Sequence, residues 1–279
     1  MLPLLFAFLT PFFWALRNVI DSYVMVHKVK HPLGFAMMTG VISIVISIIL
    51  AFFIPFTWGV KLLLPFVSGT FLGLQALFYF TLMKNEDASS VIGFLYLYPL
   101  GIALLSFLVL KEVIPVYGYL GMVLSIIGAV LLSPLLRLPK HPYLFLRLFV
   151  VILLIVCDEF LAKIANIQLP LLQNLILYYA GYGFVLLFCF LKKSYRKKFQ
   201  VEVHNVPWAL GNECISLVAI FTFFSALAAL PVTIVTSLSA LQPLFVLLMG
   251  PKVKHGLFKK AEAITFIVLG AILLGFAVP

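Results

Sequence analysis

The sequence predicts an all-α membrane protein whose ten transmembrane helices form two inverted five-helix repeats. Three observations carry this. First, 64% of the 279 residues are hydrophobic and only 10% are charged, whereas a soluble domain is nearer half apolar and a quarter charged. So much apolar surface cannot be hidden inside one globule of this size, so the solvent is lipid and the bilayer is the first partner. Second, the apolar residues fall into ten runs, each close to the ~20 residues a helix needs to cross a bilayer. The runs do not alternate with polar residues, which argues against a barrel and leaves helices that satisfy their own backbones. Third, the chain repeats itself. Pro99 matches Pro243 at an offset of 144, and GAVLL (128–132) matches GAILL (270–274) at 142. Pro65 in LPFVSGTFLG matches Pro207 in VPWALGNECI, again at 142. A long internal repeat outranks local signals.

In chain order, the expected spans are 3–26, 33–54, 62–83, 90–110, 115–136, 143–165, 170–191, 206–229, 232–250 and 261–278. The first lacks a basic leader and a small-residue cleavage site and is interrupted by Arg17, Asn18 and Asp21, so it is a retained helix rather than a signal peptide. The fourth carries Pro99 at its centre and ends on Lys111-Glu112. The fifth carries Gly118, Gly121, Ser125 and Gly128, and the tenth Ala263, Gly270 and Gly275; such small residues mark close helix packing, within the chain or between two copies. The sixth holds Asp158, Glu159 and Lys163, the eighth Asn212 and Glu213, and the ninth Pro243. The longest connection, 192–205, is a loop too short for a soluble domain. The repeats divide the chain into residues 1–140 (helices 1–5) and 141–279 (helices 6–10).

Connections 1–2, 3–4, 5–6, 7–8 and 9–10 hold fifteen basic residues: Lys28, Lys30, Lys84, Arg137, Lys140, Arg147, Lys192, Lys193, Arg196, Lys197, Lys198, Lys252, Lys254, Lys259 and Lys260. The other side holds only Lys61 and Lys111. The positive-inside rule therefore places both termini outside, in a multi-pass protein expected in a prokaryotic cytoplasmic membrane. This clustering also explains the net charge of +10 without a nucleic-acid partner. Five helices per half is an odd number, so the second half enters from the opposite face. Two inverted halves that rock about a midplane site are the architecture of secondary transporters.

An ionisable group within a span costs a few kcal/mol or more and so tends to face a cavity or a partner. Arg17 and Asp21 share a face of helix 1, as Glu159 and Lys163 do of helix 6. At the repeat offset Arg17 corresponds to Glu159 and Asp21 to Lys163, with reversed sign. The two pairs either join across a cavity or neutralise themselves within each helix. Asp158 points about 100° away from Glu159. Glu213 is either a buried carboxylate, and then the candidate for proton coupling, or a near-surface group seven residues into its span. Pro99 and Pro243 each remove a backbone hydrogen bond and kink helices 4 and 9 near mid-membrane, and matched breaks in two halves mark a binding site. Gln75, Tyr79, Tyr96, Tyr98, Ser239 and Gln242 would complete that pocket, with Trp14 and Asn18 beside Arg17. Cys157, Cys189 and Cys214 have no metal-ligand spacing and are packing residues. No metal site and no cofactor are expected.

The ten spans, Trp14-Ala15, the Tyr98-Pro99 and Gln242-Pro243 pairs and Lys111-Glu112 together resemble the EamA-type branch of the drug/metabolite transporter superfamily. The resemblance covers nearly the whole chain. It implies helices 1–4 and 6–9 in a basket around a central cavity, helices 5 and 10 packed outside, and export or exchange of amino acids or similar metabolites. The sequence departs from the family at Gly250-Pro251-Lys252, where relatives carry an acidic residue, and in its orientation, since many relatives keep their termini in the cytoplasm.

The leading expectation is a secondary transporter for an amino acid or a similar zwitterion or organic anion, with protons as a candidate coupling ion and the chain acting as a monomer or homodimer. The alternative is a proton-coupled multidrug or cationic-compound exporter. An enzyme is not expected: there is no Gly-x-Gly-Asp, Gly-x-Ser-Gly, His-Glu-x-x-His or Asp-rich diphosphate motif, and His27, His31, His141, His204 and His255 all read as loop residues. A channel would want a ring of equivalent groups from several chains. Without a Gly-x-x-x-x-Gly-Lys-Ser/Thr loop, ATP is not used directly.

Overall fold

The computed structural model describes residues 2–55, 59–85, 88–132, 142–249 and 257–278. These form helices without a strand. Six helical stretches are long and apolar enough to cross a bilayer: Leu2–His27, Pro32–Ala51, Val60–Asn85, Leu171–Leu191, Lys193–Leu227 and Val232–Met249. Three shorter apolar helices, Tyr98–Leu110, Val116–Leu131 and Ala261–Phe276, accompany them. A further helix, Pro142–Gln168, has the length but carries Asp158, Glu159 and Lys163 within it.

In order, the helices are α1 (Leu2–His27), α2 (Pro32–Ala51), α3 (Leu63–Asn85), α4 (Ala88–Leu95), α5 (Tyr98–Leu105), α6 (Val116–Leu132), α7 (Pro142–Gln168), α8 (Leu171–Phe188), α9 (Lys193–Glu202), α10 (Val206–Leu227), α11 (Val232–Leu238), α12 (Gln242–Met249) and α13 (Leu257–Phe276). The fourth expected span is α4 plus α5, and the ninth is α11 plus α12. The all-helical fold of ten spans thus matches the sequence reading. The expected boundary at 140/141 and the Gly250-Pro251-Lys252 departure lie outside the described residues.

Two broken helices sit where the prolines require them. Pro99 and Pro243 each occupy the first turn of the second segment, α5 and α12, where a missing N–H costs nothing. The chain turns at Tyr96–Leu97 in one case and through a 3₁₀ turn at Ser239–Leu241 in the other. α5 runs on into a π-helical stretch, Ser106–Leu110, that ends on Lys111 at φ 57°. A left-handed residue here is a helix C-cap; it stops the helix and leaves Glu112 beside Ser106.

The packing directions follow from residue pairs. α1 runs antiparallel to α10: Thr10 meets Thr222, Arg17 meets Ser216, Asp21 meets Asn212 and Tyr23 meets Trp208. α3 packs on α7 and α8, and α2 on α8. α6 and α13 pair with each other so closely that a Cβ on Gly270 would lie 2.2 Å from Ser125 Oγ, and one on Gly121 2.8 Å from the Gly270 carbonyl oxygen. Gly118, Gly121, Gly128 and Gly270 therefore serve contact inside the chain, whereas Gly275 faces open space.

The 192–205 connection is not a loop. Its residues 193–202 form α9, because Tyr195, Lys198, Phe199 and Glu202 recur at helical spacing on the side that packs against α2. His27 likewise belongs to the last turn of α1, stacked on Tyr23.

Candidate functional site

A cavity of about 110 Å³ lies among the helices and is lined from α1, α3, α4, α5, α7, α8, α10 and α12 and from the Tyr96 turn. Among the described residues neither α6 nor α13 contributes to it, as the basket implied by the resemblance requires, but neither does α2, which that basket would include. Of the residues expected from sequence, Trp14, Arg17, Asn18, Gln75, Tyr79, Tyr96, Tyr98, Asp158, Glu159 and Gln242 line the cavity. Asp21, Lys163, Ser239, Pro99, Pro243 and Glu213 are not on its wall. The prolines shape the two breaks, and Ser239 is buried in the 3₁₀ turn, donating to the Val235 carbonyl at 3.3 Å.

The polar belt is built in two clusters. In the first, α1 meets α3 and α10. Tyr79 donates to Asn18 Oδ1 at 2.7 Å and Asn212 donates to Asp21 Oδ1 at 2.9 Å. Arg17 lies 3.7 Å from Asp21, 4.0 Å from Glu213, and donates to Ser216 Oγ at 3.2 Å. Glu213 accepts from Ser43 Oγ at 3.1 Å. In the second, α7 meets α3 and α8. Asp158 accepts from Ser68 Oγ at 2.7 Å and from the Tyr178 hydroxyl at 2.8 Å. Glu159 is buried beside Tyr98, and its Oε2 carries no hydrogen bond of normal geometry. Among the described residues no Lys or Arg ion-pairs with Asp158 or Glu159. The Tyr96 hydroxyl donates to Gln242 Oε1, which joins the two helix breaks across the cavity.

The cross-cavity pairing expected from the repeat is not what forms. Arg17 pairs with Asp21 and Glu213 rather than Glu159. Lys163 pairs with Glu112 at 3.4 Å and donates to the Leu227 and Leu230 carbonyls at 2.9 and 2.7 Å. The reason is geometric: the C-terminus of α10 offers unsatisfied carbonyls within reach of a flexible ammonium, and Glu112 supplies the counter-charge. Glu112 also accepts from Ser106 Oγ at 2.8 Å and from the Val232 N–H at 3.0 Å, capping α11.

Sequence reasoning did not single out Ser68, Tyr178 or Ser216, which sit in apolar runs among many similar residues. Glu112 entered only as part of the Lys111-Glu112 motif; a carboxylate directly after a span was the available signal. Cys157 and Cys189 are half-buried and Cys214 is exposed, all as free thiols.

Fold and site define a multi-pass membrane protein with a polar cavity enclosed by its helices, the form of a membrane transporter. Residues 1–133 match the EamA-like transporter family. That match, which covers just under half of the chain, is to a family of membrane transporters within the drug/metabolite transporter superfamily. A solved crystal structure 16% identical in sequence aligns over 98% of this chain and 97% of its own with a TM-score of 0.69, which places the same fold over the whole length. No curated protein matches the chain.

Proposed function

We propose that the chain is a secondary transporter that moves a small ammonium-bearing metabolite, an amino acid or similar zwitterion, by alternating access around the central cavity. The observation that carries this is the arrangement of charge on the cavity wall. Asp158 and Glu159 line it without a basic partner, and Arg17 lines it as well. An ammonium group placed against Glu159 would supply the missing counter-charge, and a carboxylate at the other end would meet Arg17. A substrate that is only anionic fits less well, because Lys163 is taken up by Glu112 and two carbonyls. One observation favours a second reading, a cationic-compound exporter. Arg17 already lies between two carboxylates, so its charge is matched before any substrate arrives.

Support for alternating access comes from the ends of the helices. Lys84 of α3 donates to the Met25 and Val29 carbonyls at the C-terminus of α1, at 2.8 and 2.6 Å. Lys163 of α7 does the same at the C-terminus of α10. Because α1 and α10 are antiparallel, these clasps lie at opposite ends of the cavity. Helices α1 with α10 and α3 with α7 are the contacts that a five-plus-five inverted repeat would exchange, which supports the division at 140/141. Glu213 sits behind Arg17, and a proton taken up there would loosen Arg17 from α10; this is the coupling we propose.

The experiment is binding and flux with a matched set of three small molecules of similar size: an amino acid, its decarboxylated amine and its deaminated acid. Flux of the first alone supports the zwitterion, flux of the first two or the amine alone supports the cation, and preference for the acid refutes the ammonium site.

A further inference from the structure

We propose that α9, together with the α1–α2 turn it holds, is a binding surface for anionic lipid headgroups. The sequence of α9, KSYRKKFQVE, divides cleanly by face. Tyr195, Lys198, Phe199 and Glu202 recur at helical spacing and are the less exposed set, while Lys193, Arg196, Lys197 and Gln200 recur on the other face and are exposed. The inner face is firmly seated. Phe199 packs edge-on against Phe190 at 4.9 Å, and a Cβ on Gly34 of α2 would lie 2.4 Å from the Lys198 carbonyl oxygen. Glu202 is fully buried and accepts from the N–H groups of Lys30 and His31 at 2.9 and 2.7 Å, and from Asn205 at 2.8 Å. Asn205 in turn donates to the Lys28 carbonyl at 3.3 Å.

This seating holds the exposed Lys28 and Lys30 at the C-terminal end of α9, whose outer face carries the exposed Lys193, Arg196 and Lys197. The acidic residue of α9 is spent on the N-terminus of α2, so it does not neutralise the row. Among the described residues the ammonium group of none of the four lysines forms an ion pair. An unneutralised basic row held rigidly at a membrane edge matches the negative potential of a leaflet containing anionic lipid. The apolar face is already used against α2, so the attraction is electrostatic and salt-dependent rather than an insertion of apolar side chains. A topology signal alone would need the charges but not their fixed placement on one face.

The test uses the whole protein in nanodiscs of phosphatidylcholine, alone or mixed with phosphatidylglycerol, and measures the unfolding temperature as anionic lipid is titrated at low and high salt. The wild type should be stabilised by phosphatidylglycerol, less so at high salt. The K193Q/K197Q and K28Q/K30Q variants alter exposed side chains only and should match the wild type in neutral discs. Their apparent affinity for phosphatidylglycerol should fall about fivefold for each charge removed. Unchanged lipid dependence in both variants, no lipid dependence in the wild type, or equal stabilisation by inorganic phosphate added to neutral discs would each overturn the proposal.

Discussion

Glu112→Ala should be among the most damaging single changes outside the cavity wall. Glu112 Oε2 accepts two hydrogen bonds, from Ser106 Oγ at 2.8 Å and the Val232 N–H at 3.0 Å, and its Oε1 lies 3.4 Å from Lys163 Nζ. Hydrogen bonds to a charged group are worth about 1.5–3 kcal/mol each. Their loss also leaves the Lys163 ammonium, 6% exposed, with carbonyls alone. Breaking a buried ion pair on one side costs about 3–5 kcal/mol, and we take that as the total, because the lost bonds and the stranded charge are not additive. Glu112→Gln keeps an acceptor for Val232 and should cost only about 1–2 kcal/mol. Lys163→Met strands Glu112 and two carbonyls in turn. The double variant should be less destabilised than the sum of the singles by about 1–3 kcal/mol. Thermal unfolding of the purified protein reads this out: at about 2–4 °C per kcal/mol, Glu112→Ala should melt roughly 6–20 °C lower than wild type. A melting point unchanged by Glu112→Ala, or singles that add in the double, would refute the clasp.

Gly270→Val should destabilise by about 1–3 kcal/mol or more by forcing α6 and α13 apart, whereas Gly275→Ala, whose Cβ meets nothing within 4 Å, should be neutral or stabilising; parallel thermal melts separate the two. Tyr178→Phe and Ser68→Ala each remove one hydrogen bond to Asp158 and should weaken substrate affinity about fivefold to tenfold without abolishing flux, seen as a raised KM with nearly unchanged maximal rate. Glu213→Gln should retain substrate binding but lose the dependence of flux on a proton gradient, measured in liposomes with and without an imposed pH difference.

The helices were legible because period and length are written into a membrane sequence: ten apolar runs became ten spans, and Pro99 and Pro243 marked breaks that Tyr96 and Gln242 then bridge. Ten of the expected site residues line one cavity, and six of them carry a charge or an amide, groups that have few places to go inside a span. Pair identity was legible for Arg17 and Asp21, four residues apart on one helix face, and not beyond them. The repeat suggested Arg17 with Glu159, but a long side chain chooses its partner by reach, and the carbonyls at the C-terminus of α10 lie nearer Lys163 than any sequence offset reveals. Tyr178 and Ser68 were hidden by abundance, since one tyrosine or serine among many in an apolar run has no pattern of its own. α9 was missed because a ten-residue basic stretch reads as a connection until Tyr195, Phe199 and Glu202 are noticed on one face.

The most direct test of the central claim is flux by the purified protein in sealed, ATP-free liposomes, wild type beside Glu159→Gln and Glu159→Asp. The account predicts saturable movement of an ammonium-bearing compound in the wild type, strong loss in Glu159→Gln and partial recovery in Glu159→Asp. Wild-type flux of such a compound that is undiminished in Glu159→Gln would contradict it.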